Sequence, residues 1–309
     1  VVNYSEVDGM TLATYPLTGE VVLSKVSSDA PATLKIPEGV TALGNKILNG
    51  NTTVKEVVIP STVTKYGGTP NEAGTGASGG MFYNSAVEKV VLPEGLKEIP
   101  AAAFNQATKL KEVNIPSSVT SIGISAFAGT ALTDLTIPAT VETIGYGAFR
   151  DMLSLTTATI EGDVYVPSFA FRNCASLKSV YLNGTNVSFG DNMIFTVTST
   201  NNENPNGITV YVKNDGIKAR LEATGQFKGA IVSEKHADAN GIYTDTNGDK
   251  FAYATDTTEM TSAISNGAAT VFVGNGTYVV PANVSGKTVT IAGNGETVID
   301  ITTVPTYAG

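Results

Sequence analysis

Apolar residues in this chain recur neither every 3.6 positions, as on a helix face, nor every second position, as along a strand. They return at unequal offsets inside a longer period. Each apolar triplet ends on Ile36-Pro37, Ile59-Pro60, Leu92-Pro93, Ile115-Pro116 or Ile137-Pro138, and the series continues as Ile160-Glu161 and Leu182-Asn183; the intervals are 23, 33, 23, 22, 23 and 22 residues. Phenylalanine keeps the same period at Phe82, Phe104, Phe127, Phe149 and Phe171, and Ile194 holds the next place. From Leu92, apolar side chains return at Leu96, Ile99, Phe104, Leu110 and Val113, offsets of 4, 7, 12, 18 and 21. A coil of short strands and turns, with every marked side chain entering one interior, produces such spacing. One coil cannot bury its own apolar edges, but a stack can. The expected fold is a mainly β solenoid of about seven coils of 22–23 residues over 31–235.

The segments IPSSVTSIGISAFAGTALTDLTIP, from residue 115, and FRNCASLKSVYL, from residue 171, resemble the BspA-type (type 5) leucine-rich repeat of bacterial surface proteins, a likeness that runs over roughly 31–235. The resemblance implies a right-handed, gently curved array on secreted or anchored proteins, used mainly for adhesion or ligand capture. ITVYVKNDGIKARLEATGQFKGAIV is similar to the way such arrays finish, with a strand, a short helix and a last strand; Asn214 or Asp215 suits the helix N-cap and Gly225 its end. Two units depart from the period. About eleven residues are added within 67–80, and 197–207 lengthens the loop after Ile194. Their Gly, Asn and Ser content reads as tolerated surface excursions or as binding loops.

At the N-terminus, residues 1–30 read as a β cap, with two short strands around Pro16-Leu17-Thr18-Gly19. Beyond His236 the period stops, and 236–309 reads as a small β-rich domain or a truncated β-helix-like segment. IYTDTNGDKFAYA is a hairpin candidate turning at Asn247-Gly248, and Asp256 with Glu259 forms a capping box. The stretch 256–301 resembles the opening coils of a right-handed parallel β-helix of the pectate-lyase-like kind, where a capping helix precedes a strand such as 269–273.

Composition narrows the function. A formal charge of −9 without clustered Lys or Arg argues against nucleic-acid binding and for a basic or neutral partner. Cys174 and His236 are single, so no intrachain disulfide and no paired-histidine metal site can form, and Cys174 is expected to pack as a small apolar residue. No cofactor is expected. No run of 18 apolar residues occurs and the first residues lack a signal-peptide pattern, so an exported protein is expected to have lost its signal from this chain.

The candidate chemistry lies on the outward strand positions. One place before the marker stand Lys35, Val58, Val91, Asn114, Thr136, Thr159, Tyr181 and Tyr211; three before it stand Glu56, Lys89, Glu112, Asp134, Thr157, Ser179 and Thr209. Strands stacked about 4.8 Å apart turn these into two ladders. Glu112 and Asp134 then become neighbours, a spacing used by retaining glycosidases but set here on an open face that cannot shift a pKa. Tyr181 and Tyr211 are the stronger ligand contacts, since tyrosine combines apolar area with a hydrogen-bonding tip. Thr159, Ser179, Glu112, Asn114, Asp134 and Lys89 complete the candidate surface. Asp245, Asn247 and Asp249 resemble a calcium loop, but Lys250 stands where glycine is needed. The expected function is an extracellular or bacterial cell-surface binding module, with no catalytic residues, that recognises a protein or glycan, host matrix included. The alternatives are an accessory module of a polysaccharide-degrading enzyme and a structural stalk.

Overall fold

A computed structural model describes residues 1–67, 79–190, 194–196, 207–225, 227–234, 237–244, 249–273, 276–279, 290–293 and 297–300. The chain is a β solenoid of about ten turns with little helix. Strands Thr33–Lys35, Glu56–Val58, Lys89–Val91 and Glu112–Val113 make one four-stranded sheet. Asp134–Ile137, Thr157–Ile160, Ser179–Leu182, Thr209–Val212 and Ala230–Ser233 make a five-stranded one, parallel throughout and in chain order. The register keeps like positions together. Leu34, Val57, Val90 and Val113 align inward in the first sheet, as do Leu135, Ala158, Val180 and Val210 in the second. Within each strand burial alternates, as a two-residue side-chain period requires.

Prolines explain where the first five of these strands stop. Proline has no N–H to continue a ladder. Instead the carbonyls of Pro37, Pro60, Pro93, Pro116 and Pro138 accept from the N–H groups of Val40, Val63, Leu96, Val119 and Val141, closing a turn in each of five coils. A short second strand follows. Glu98–Ile99, Ser121–Ile122 and Thr143–Ile144 pair in parallel, and Tyr165–Val166 pairs with Ser188–Phe189. Gly123 and Gly145 come next because the coils touch there; a Cβ on either would lie 2.4 Å from the backbone nitrogen of Ala101 or Ile124.

The phenylalanines form one interior column. Phe82, Phe104, Phe127, Phe149 and Phe171 stack in succession with ring centroids 4.9–5.8 Å apart. The next ring is Phe195, 5.4 Å from Phe171, and not Ile194. A bridge pairs Phe171 with Phe195, so the unit here is longer than the period counted along the sequence, and Ile194 is buried beside the column. Cys174 is fully buried, and burial pushes its thiol up to about 12.

Both ends are closed. Asn3–Val7, Met10–Tyr15 and Glu20–Val26 form an antiparallel meander whose second turn lies at 16–19 as expected; its first strand was not evident in the sequence. Glu20–Val26 then pairs in parallel with Ala42–Leu43, covering the first coil. At the other end lies helix α1, Asp215–Ala223. Its Ile217 N–H donates to the Asn214 side chain at 2.9 Å, and Ala230–Ser233 lies against Thr209–Val212.

The tail has its own apolar cluster, with Ile242, Ala252, Met260, Ile264, Val271 and Tyr278 among its members. Tyr243–Thr244 pairs antiparallel with Lys250–Ala254, while Asn247 and Gly248 lie outside the described residues. Lys250–Ala254, Thr270–Val273 and Thr290–Gly293 are parallel, as are Gly276–Val279 and Thr297–Asp300. Helix α2, Thr257–Ser265, is capped by Asp256, which accepts from the Glu259 N–H at 2.8 Å. The Glu259 carboxylate accepts in return from the Thr255 N–H at 2.7 Å, one residue earlier than the usual box.

Candidate ligand-binding face

The outward positions of the five-stranded sheet form two unbroken columns. Thr136, Thr159, Tyr181, Tyr211 and Val232 are partners from strand to strand, and so are Asp134, Thr157, Ser179, Thr209 and Ala230. Tyr181 and Tyr211 stack with centroids 4.8 Å apart and planes 10° from parallel. That distance is the strand spacing itself, so the pleat, rather than any local loop, sets the pair. Tyr181 is 37% exposed and Val232 46%, which leaves an apolar edge on a face made mostly of hydroxyl-bearing side chains. Asp134 is the single charged side chain of the ten, and Thr133 Oγ1 donates to it at 2.9 Å.

The charged half is separate. Glu56, Lys89 and Glu112 align on the four-stranded sheet, with the Lys89 ammonium 3.6 Å from Glu56 and 3.3 Å from Glu112. The hydrogen bond and charge of Glu112, with Glu56 adding to them, hold the Lys89 pKa above the usual lysine value. Both ion pairs are solvent-exposed and contribute little to stability.

Two expectations are corrected here. The sheet breaks between Glu112–Val113 and Asp134–Ile137, so Glu112 and Asp134 are not register partners. Glu112 turns to the opposite charge of Lys89. Asn114 is exposed but lies just past its strand, beyond the last paired residue, Val113, so it stands off the hydrogen-bonded ladder. Thr159 and Ser179 do join the two tyrosines on one sheet. Of the calcium candidates only Asp249 is placed, on the surface before Lys250–Ala254; Asp245 and Asn247 lie outside the described residues, as do His236 and most of the two inserted loops.

Sequence reasoning missed the contact between array and tail. Tyr253 presses on α1 so closely that a Cβ at Gly216 would lie 2.1 Å from its ring. The Asn214 side-chain amide donates to the Tyr253 hydroxyl at 2.7 Å, and the Arg220 guanidinium lies 4.6 Å from the ring centroid. Arg220 is 5% exposed; its Nη1 donates to Asn186 and to the Val187 carbonyl, while Nε and Nη2 have no partner. Burial pulls its pKa down to about 10. Beside this contact lies a cavity of about 330 Å³, lined by Asp215, Ala219, Tyr243 and Glu259 among others. A glycine in the first turn of a short helix, where no bend is needed, was the available signal.

Residues 78–201 match the model of the BspA-type leucine-rich repeat region in six copies. No curated protein matches the chain. Among solved structures it is similar to a leucine-rich repeat protein from Bacteroides ovatus ATCC 8483, at 20% identity and a TM-score of 0.50, covering 94% of this chain and 67% of that one. It is also similar to the T. pallidum leucine-rich repeat protein, at 22% identity and a TM-score of 0.54, covering 75% of this chain and all of that one. These likenesses establish the fold. No catalytic family is indicated, and no helix among the described residues is long and apolar enough to cross a membrane.

Proposed function

From the premise that residues 78–201 are BspA-type leucine-rich repeats, we propose that this chain is an extracellular, surface-displayed binding module that recognises a protein or glycan through its outward strand ladder. The observation that carries the reading is the Tyr181–Tyr211 stack, seated on a continuous five-stranded sheet and flanked by Thr159, Ser179 and Val232. Aromatic side chains with a polar tip dominate binding hot spots, and a rigid sheet holds them without an ordering cost. Ligand contact is spread over several coils, which suits a large partner.

The test is a binding screen of the intact chain against purified matrix proteins and a glycan array, followed by Tyr181→Ala and Tyr211→Ala on whatever binds. Each variant should weaken binding by about 1–2 kcal/mol or more, with thermal stability almost unchanged. A ligand indifferent to both tyrosines but lost on deletion of 67–80 or of the tail would move the site to the loops or the tail.

A further inference from the structure

We infer that the cavity between the array and the tail is a site for a small organic cation, an ammonium ion carrying an apolar body, held between α1 and α2. The cavity has a volume of about 330 Å³ and belongs to neither unit alone. Asp215 and Ala219 come to it from α1 at the end of the array, Tyr243 and Tyr253 from two strands of the tail, and Glu259 and Ala263 from α2. That volume is in the range of small-molecule pockets, which favour the seams between units.

Charge decides the class of occupant. Among the described residues that line the cavity, the carboxylates are Asp215 and Glu259, and no lysine or arginine stands with them. Glu259 is held ready. Its Oε2 accepts from both the N–H and the hydroxyl of Thr255, each at 2.7 Å, while Oε1 accepts from no described residue. One oxygen fixes the carboxylate and the other is left to a ligand, so little orientational freedom is lost on binding. Arg220, 4.6 Å from the Tyr253 ring centroid, gives its Nη1 to Asn186 and Val187 and does not line the cavity. The chain's charge of −9 adds a long-range attraction for a cation.

The walls decide the body. Ala219, Ala263 and the rings of Tyr243 and Tyr253 set apolar surface beside the carboxylates. A metal ion gains nothing from that surface, and the described residues hold no group of three or more His, Cys, Asp or Glu placed to ligate one. An anion meets repulsion, and a neutral molecule leaves both carboxylates to water. An ammonium with a hydrocarbon body uses the charge and the apolar surface together. Because its contacts come from both units, such a ligand also ties the tail to the array by mass action.

The experiment titrates the full chain with phenethylamine, protonated at neutral pH, and with two molecules of similar body, the neutral phenethyl alcohol and the anion hydrocinnamate. Binding is read by calorimetry and by hydrogen exchange over 250–273. The amine should bind with a Kd of about a millimolar or tighter and about tenfold or more tightly than the alcohol, and the anion should not saturate. Exchange over 250–273 should slow with the amine. Ala219→Leu, which fills the cavity from an exposed helix position, should abolish amine binding. Glu259→Gln keeps an acceptor for Thr255 and removes the charge; it should weaken the amine about threefold or more and leave the alcohol unchanged. The Tyr181→Ala/Tyr211→Ala double variant should bind the amine as the parent chain does, which separates this site from the strand face. Equal affinity for amine and alcohol would overturn the cation inference, and calcium binding that is lost with Glu259→Gln would replace it with a metal site. Absence of saturable amine binding up to about 20 mM, or binding untouched by both Ala219→Leu and Glu259→Gln, would overturn the site itself.

Discussion

Phe127 lies in the middle of the aromatic column, 5.0 Å from Phe104 and 5.8 Å from Phe149, and is fully buried. Replacing it with alanine removes contacts to two coils at once, and the neighbouring rings cannot collapse into the gap without breaking their own stacking. The expected loss is about 3–5 kcal/mol in denaturant titration; a loss under about 1 kcal/mol would mean that the column is not part of the interior. Five of these rings were placed correctly by period alone, because equivalent positions in a repeat meet equivalent neighbours. Phe195 escaped because counting assumes that no unit has changed length.

At the scale of the element, α1 joins the array to the tail, and Gly216 is the residue that permits the junction. Glycine in a helix ordinarily costs roughly 0.5–1 kcal/mol relative to alanine. Here the added Cβ would meet the Tyr253 ring at 2.1 Å, so the usual preference is reversed by packing. Gly216→Ala should therefore destabilise the docked tail in the full chain, seen as faster hydrogen exchange over 250–273. In a chain ending at residue 235 the same change should stabilise, by roughly 0.5–1 kcal/mol in denaturant titration. Stabilisation of the full chain instead would place Tyr253 away from the helix. The helix ends were legible beforehand, since Asn214 and Asp256 cap as their sequences suggest. The contact with Tyr253 was not, because it links residues 33 or more positions apart that share no periodic mark.

For the whole molecule, we propose that the array and the tail fold as separate units divided near residue 235. The array's core and the tail's core have no member in common. Docking sets the Tyr253 ring over the Arg220 guanidinium, which is buried with two donors unpartnered, so removing the tail opens that face of the cation to water. A chain of residues 1–235 should stay soluble and unfold cooperatively, because coils and caps depend only on their neighbours. Aggregation of that chain, with the full one soluble, would make the tail an obligatory cap.

The sequence by itself determined the solenoid, its period, most of the inward residues and which strand positions face outward. Each of these follows from a local rule, applied once per coil, that stacking can only reinforce. It also singled out Tyr181 and Tyr211, since alternation along a strand decides which side chains face water. Tertiary structure alone decided where the ladder breaks, between Glu112 and Asp134, and how the two tyrosine rings lie against each other. It alone brought Tyr253, Arg220 and Asn214 together. Those outcomes depend on register between strands, on charges choosing among neighbours and on contacts distant in the chain, none of which leaves a periodic trace in the order of residues.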